Sequence, residues 1–155
     1  MEEFELKYTS ICGGLVFVHV FQKIEEAGFN LLYATKLADL GKTVKILEYK
    51  HGQKNPDANV DGKILEFKHP RYSKEPHTAI QNNVRKANEQ GAEIVMIILD
   101  NPLITTRDIK RALIASICPE RNKGIKEVWL MYDDDILVEL SRSMILDKSF
   151  IQKLR

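Results

Sequence analysis

Apolar residues alternate along the chain between a period of two and a period of about 3.6, the spacings of strands and helices. The β-branched and aromatic run Leu15-Val16-Phe17-Val18-His19-Val20 follows the breaker Gly13-Gly14 and predicts a strand. From Ile24 to Leu40 apolar positions recur at Ile24, Ala27, Leu31, Ala34 and Leu37 or Ala38, helical spacing that Gly41 closes. Thr43 to Glu48 alternates as a strand with Val44 and Ile46 on one face. Ala58 to Asp61 and Lys63 to Lys68 flank Asp61-Gly62 and predict a hairpin with a type I′ turn.

The second half repeats the alternation. Glu75-Pro76 opens a polar helix to Gln90, stopped by Gly91, with Ile80, Val84 and Ala87 as its apolar stripe. Glu93 to Leu99 is a continuous apolar run from Ile94 on, predicting a strand covered on both faces. Thr105 or Thr106 caps a helix from Arg107 to about Ile117. Lys126 to Tyr132 and Ile136 to Leu140 form a hairpin across Asp133-Asp134-Asp135, and residues 143–155 read as a terminal helix. This order predicts an α+β (mixed α/β) fold: one domain over 1–155, its core at about 15–140, with a largely antiparallel sheet and flanking helices.

Composition narrows the class. At 155 residues and 44% hydrophobic, the chain suits one domain burying roughly two-thirds of its unfolded surface. No apolar run reaches the ~18 residues needed to cross a membrane. The opening Met-Glu-Glu lacks the basic start of a secretory signal, so a cytoplasmic location is expected. Cys12 and Cys118 are too few for a metal knuckle or disulfide framework and are expected to be buried free thiols.

Net charge is only +1, but it is unevenly spread: from Lys42 to Lys86 the balance is +5, and His51, His69 and His77 fall in the same window. A local basic stripe on a nearly neutral chain suits a site that meets phosphates. Inside it, Glu66 and Lys68 stand two apart on a strand and project from one face, while Leu65 and Phe67 point to the core. An ammonium there can stabilise charge on a phosphoryl oxygen, and the carboxylate can take a proton or hold a divalent ion. Asp57, Asp61, His69 and Arg71 lie at the two ends of the same hairpin. Tyr72 and Trp129 are candidates for stacking on bases, although Trp129 between Val128 and Leu130 equally suits the core. His51 reads as a solvated loop residue, and Asp133-Asp134-Asp135 as a turn lacking the other oxygen ligands of a calcium loop.

Two family resemblances meet in this segment. Pro56-Asp57 followed by Glu66-Phe67-Lys68 resembles the PD-(D/E)XK nucleases, which implies Mg²⁺ held by Asp57 and Glu66 and a water oriented by Lys68. A longer resemblance runs from about Leu31 to Leu140. It includes Leu37-Ala38-Asp39-Leu40-Gly41, Lys54-Asn55-Pro56-Asp57, Val60-Asp61-Gly62-Lys63, a helix with basic residues, the strand ending at Asp100, and Ile125-Lys126-Glu127-Val128-Trp129. In that order the chain resembles the barnase-EndoU-colicin-RelE-like ribonucleases, in particular tRNase domains of contact-dependent growth inhibition toxins and phage-encoded relatives. That resemblance implies a small RNase, with tRNA among its candidate substrates, that needs no cofactor. His19 or Glu66 would be its base, Lys68, Lys54 and Arg71 its cations, and His69 or His77 its acid. Asp57, Asp61, Tyr72 and Arg85 complete the expected RNA contacts. It further implies delivery within a larger secreted toxin and an acidic immunity protein covering Lys54, Lys68 and Arg71. A non-enzymatic module that binds RNA or protein through the same stripe is the reading of a different class.

Overall fold

The computed structural model describes residues 3–22, 27–71 and 74–155. The chain gathers into two compact units, 1–65 and 66–155, and the division falls inside a strand. Together they give an α+β fold in which most neighbouring strands run antiparallel.

The first unit holds β1 (Phe4–Thr9), β2 (Leu15–His19), α1 (Ala27–Asp39), β3 (Thr43–Ile46), β4 (Ala58–Val60) and the start of β5 (Lys63–Lys68). β2 and β3 are parallel and joined by α1, whereas β1 on β2, β4 on β3 and β5 on β4 are antiparallel. Val44 and Ile46 are buried as the alternation required. Asp61 at φ 48 and Gly62 at φ 92 both occupy the left-handed region that a type I′ turn demands. The Asp61 carboxylate accepts the Thr43 N–H at 2.9 Å, which fixes the turn against β3.

Three details differ from the sequence expectation. β1 was not anticipated, although Phe4, Leu6 and Tyr8 alternate; as an edge strand it leaves Leu6 half exposed, so its pattern earns little burial. Tyr8 Oη donates to Asp39 at 2.6 Å, tying β1 to α1 and raising the phenol's pKa. In α1 the inward stripe is Asn30, Tyr33, Ala34, Leu37 and Ala38, with Leu31 facing out, while Ile24 lies outside the described residues. Cys12 is exposed rather than buried, because it sits in the tight turn from Ser10 to Gly14.

The second unit continues β5 and adds α2 (Pro76–Glu89), β6 (Ile94–Leu99), α3 (Thr106–Ser116), β7 (Glu127–Tyr132), β8 (Leu137–Ser141) and α4 (Arg142–Leu146). β6 and β7 are parallel across α3, and β8 returns antiparallel on β7. Every residue of β6 is buried, as its unbroken apolar run predicted. Thr105 caps α3 through a capping box with Asp108. The terminal helix expected over 143–155 is instead α4 and a short 3-10 helix, Ser149–Lys153. Asp147 takes the Ser149 N–H and Lys148 turns left-handed at φ 65, a side-chain bond that competes with helix propagation. Arg142 fastens the loop after α3: its guanidinium donates to the carbonyls of Cys118, Arg121, Asn122 and Ile125 at 2.6–3.0 Å.

Leu65 is fully buried and Phe67 is 5% exposed. Leu65→Ala and Phe67→Ala are each expected to destabilise the protein by about 2–5 kcal/mol, read from urea unfolding midpoints. Losses below about 0.5 kcal/mol would mean that the strand register is wrong.

Candidate functional site

In the second unit, β5 carries Glu66 and Lys68 on one face, with Lys68 Nζ 3.3 Å from Glu66 Oε2. Leu65 and Phe67 point to the core from the other face, yet Glu66 too is only 5% exposed, because this half of β5 is covered on both sides. Removing a carboxylate and an ammonium from water is expensive, and an apolar pair of similar volume often serves stability as well or better. A sheltered charged pair therefore points to chemistry.

His69 follows β5 directly. Its Nε2 lies 2.6 Å from Oδ1 of Asp100, the first residue after β6, and both groups are partly open to solvent. A carboxylate on one imidazole nitrogen fixes the ring's orientation, the arrangement by which a histidine is held for proton exchange. Asp100 also borders a cleft of about 140 Å³ with Asn101, Thr106, Ile109, Tyr132 and Asp133, at the carboxyl ends of the parallel strands β6 and β7. That end of parallel strands is where ligands commonly bind. Sequence reasoning did not select Asp100 as a site residue. Its signal was its place as the first polar residue after a wholly apolar strand.

The remaining candidates of this unit are more ordinary. His77 is half-buried in the first turn of α2. Arg85 pairs with Glu89 one turn on, at 2.8 Å, and Arg71 is exposed after Pro70. Tyr72 lies outside the described residues. Trp129 is core, its Nε1–H donating to Glu127 at 3.1 Å. The three-Asp turn is held by Arg155, which donates to both Asp134 oxygens and keeps that carboxyl below the usual carboxylate range.

In the first unit His19 is buried between the rings of Phe4 and Phe21. Its Nδ1 accepts the Phe21 N–H at 3.0 Å, and its Nε2 faces Glu3 at 3.2 Å and Glu48 at 3.9 Å. These partners occupy both ring nitrogens, the arrangement of a structural histidine. Lys54 is exposed on a loop that the Asn55 side chain braces through Lys50 and Gln53; His51 in the same loop is also exposed. Asp57 is half-buried, its carbonyl taking the Leu47 N–H at 3.0 Å, and Asp61 serves the turn. Among the described residues no three Asp, Glu, His or Cys side chains gather as a metal centre would need. No helix among them is long and apolar enough to cross a membrane.

Residues 54–136, more than half of the chain, match the family model described as Contact-dependent growth inhibition CdiA C-terminal domain. That stretch contains Lys54, Asp57, Glu66, Lys68, His69 and Asp100. The fold is similar to a solved structure, the CdiA-CT/CdiI toxin and immunity complex from Burkholderia pseudomallei, with a TM-score of 0.58 and 17% identity. The likeness covers 76% of this chain and 85% of that one. No curated protein matches the sequence significantly.

Proposed function

The chain belongs to the family of contact-dependent growth inhibition CdiA C-terminal domains, and on that footing we propose that it is the nuclease module of a larger secreted toxin and cleaves RNA. The observation that carries this reading is the sheltered Glu66–Lys68 pair, within the family-matched segment and one residue from the His69–Asp100 hydrogen bond. Cleaving a phosphodiester gathers negative charge on the phosphoryl oxygens and on the departing 5′-oxygen. Lys68 opposes the first, Glu66 holds its ammonium in place, and His69, oriented by Asp100, exchanges the proton. tRNA is the proposed substrate within the class.

Two readings of the chemistry rest on different observations. The His69–Asp100 bond of 2.6 Å favours metal-independent attack by the 2′-hydroxyl, the barnase-EndoU-colicin-RelE-like chemistry, ending in a 2′,3′-cyclic phosphate. The sheltering of Glu66 beside Lys68, the Glu-x-Lys pair of that pattern, favours the PD-(D/E)XK reading. There Glu66 would hold a divalent cation. Mg²⁺ fits so small a donor set because it keeps several waters and takes its remaining ligands from the substrate phosphate.

Purified protein incubated with total RNA and with duplex DNA, each with and without excess chelator, tests the proposal. RNA cleavage that survives chelator and leaves cyclic phosphate ends selects the first reading, whereas loss of cleavage restored by Mg²⁺ selects the second. No cleavage of either nucleic acid under any of these conditions leaves the non-enzymatic binding module. An acidic neutralising protein seated over Lys68 and Arg71 completes the proposal, since the basic window would steer it there and slow its arrival as salt rises.

A further inference from the structure

Helix α3 turns Ile109, Ala112, Leu113 and Ser116 into the core. Its opposite face exposes Arg107, Lys110 and Arg111, which with Ile114 and Ala115 line a groove of about 440 Å³. Positions three and four apart on a helix are neighbours, so these cations crowd one another, at a few tenths of a kcal/mol per like-charged pair. Arg107 also stands in the first turn, where the helix dipole disfavours a cation. Arg85 on α2 has Glu89 four residues on, but among the described residues the side chains of Arg107, Lys110 and Arg111 have no ion pair or hydrogen bond. The one acid of α3, Asp108, is committed to the Thr105 cap through two bonds of 2.9 Å.

We infer that this face of α3 is an exosite for the phosphate backbone of the RNA, taken up beyond the scissile bond. The inference rests on the nuclease reading above and extends it to a binding surface outside the basic window of residues 42–86. Two arginines spread over about one helical turn, ~6 Å, offer planar forks that match phosphate bidentately. The chain order supplies the path: Thr106, next to Arg107, borders the cleft at Asp100, so a strand leaving that cleft passes onto the exposed face. An acidic protein fits less well, because among the described residues the groove's apolar lining is Ile114 and Ala115, which offer no large anchor.

The test is binding of a fluorescein-labelled 20-base-pair RNA hairpin across a KCl series, with Glu66→Gln and Lys68→Met in every protein so that the probe stays intact. Adding Arg107→Gln, Lys110→Gln and Arg111→Gln is expected to lower the slope of log K against log salt by about 2–3 and to weaken binding roughly a hundredfold at 0.1 M salt, each lost phosphate contact removing ~0.7–0.9 from the slope. Arg107→Lys with Arg111→Lys should keep the slope. Should the triple substitution unfold, single substitutions carry the test, each removing about 0.7–0.9. An unchanged slope overturns the proposal, as does a triple variant that binds the hairpin normally but no longer binds poly-glutamate, which would assign the face to an acidic protein. RNA cleavage by the otherwise unsubstituted chain is scored separately, so failure of the nuclease reading cannot be mistaken for failure of the exosite.

Discussion

Lys68→Met is expected to slow RNA cleavage by about a hundredfold or more, the loss typical of removing one charge-stabilising group from a phosphoryl-transfer site. Because Glu66 is sheltered, the variant also takes an ammonium away from its carboxylate, so it should lose up to a few kcal/mol of stability, short of the 3–5 kcal/mol of a fully buried pair. Glu66→Gln should lose similar activity with less destabilisation, since Lys68 is more exposed than its partner and its ammonium can turn to water. The double variant separates the roles. If the pair is catalytic, Glu66→Gln with Lys68→Met regains stability relative to Lys68→Met alone and regains no activity. Single-turnover cleavage and urea unfolding measure the two quantities, and a double variant cutting within threefold of wild type would reduce the pair to a structural device.

Asp100→Asn should cost 10²–10⁴-fold in turnover, and His69→Ala a comparable amount. Both side chains are partly exposed, so stability should move by no more than about 0.5–1 kcal/mol. Acting as a unit, they should be non-additive, and the double variant should be no slower than the worse single one. Multiplied losses would show that the two residues serve separate steps, and an unimpaired Asp100→Asn would remove Asp100 from the site.

Local signals were legible in the sequence wherever short-range physics decides the structure. Asp61-Gly62 specified its turn because few residue pairs tolerate two positive φ angles, Thr105 marked the start of α3, and six consecutive apolar residues marked β6 as covered on both faces. The site was half legible. Glu66 and Lys68 could be placed on one face by strand periodicity, but periodicity says nothing about what covers that face, so the sheltering of Glu66 was missed. The pairing of His69 with Asp100 joins residues 31 apart, and no local rule reaches that far. The basic face of α3 escaped for another reason: Asp100 and Asp108 offset its charge along the chain, while in space Asp108 is spent on the cap and Asp100 on His69. The edge strand β1 and the broken terminal helix were missed because little burial or a single side-chain bond determines them.

The four carbonyls held by Arg142 bear on how the second unit opens. The loop 118–125 has its own turn bonds, Arg121 N–H to Cys118 and Ile125 N–H to Asn122, and Arg142 N–H is bonded to Lys126. Because one guanidinium gathers the loop and the start of α4, none of these amides can be exposed far without releasing the others. They belong to one sub-global unfolding unit and should exchange their hydrogens for deuterium at a common opening free energy. The clasp uses no carboxylate, so that free energy should be insensitive to acidification, which leaves carbonyl acceptors unchanged.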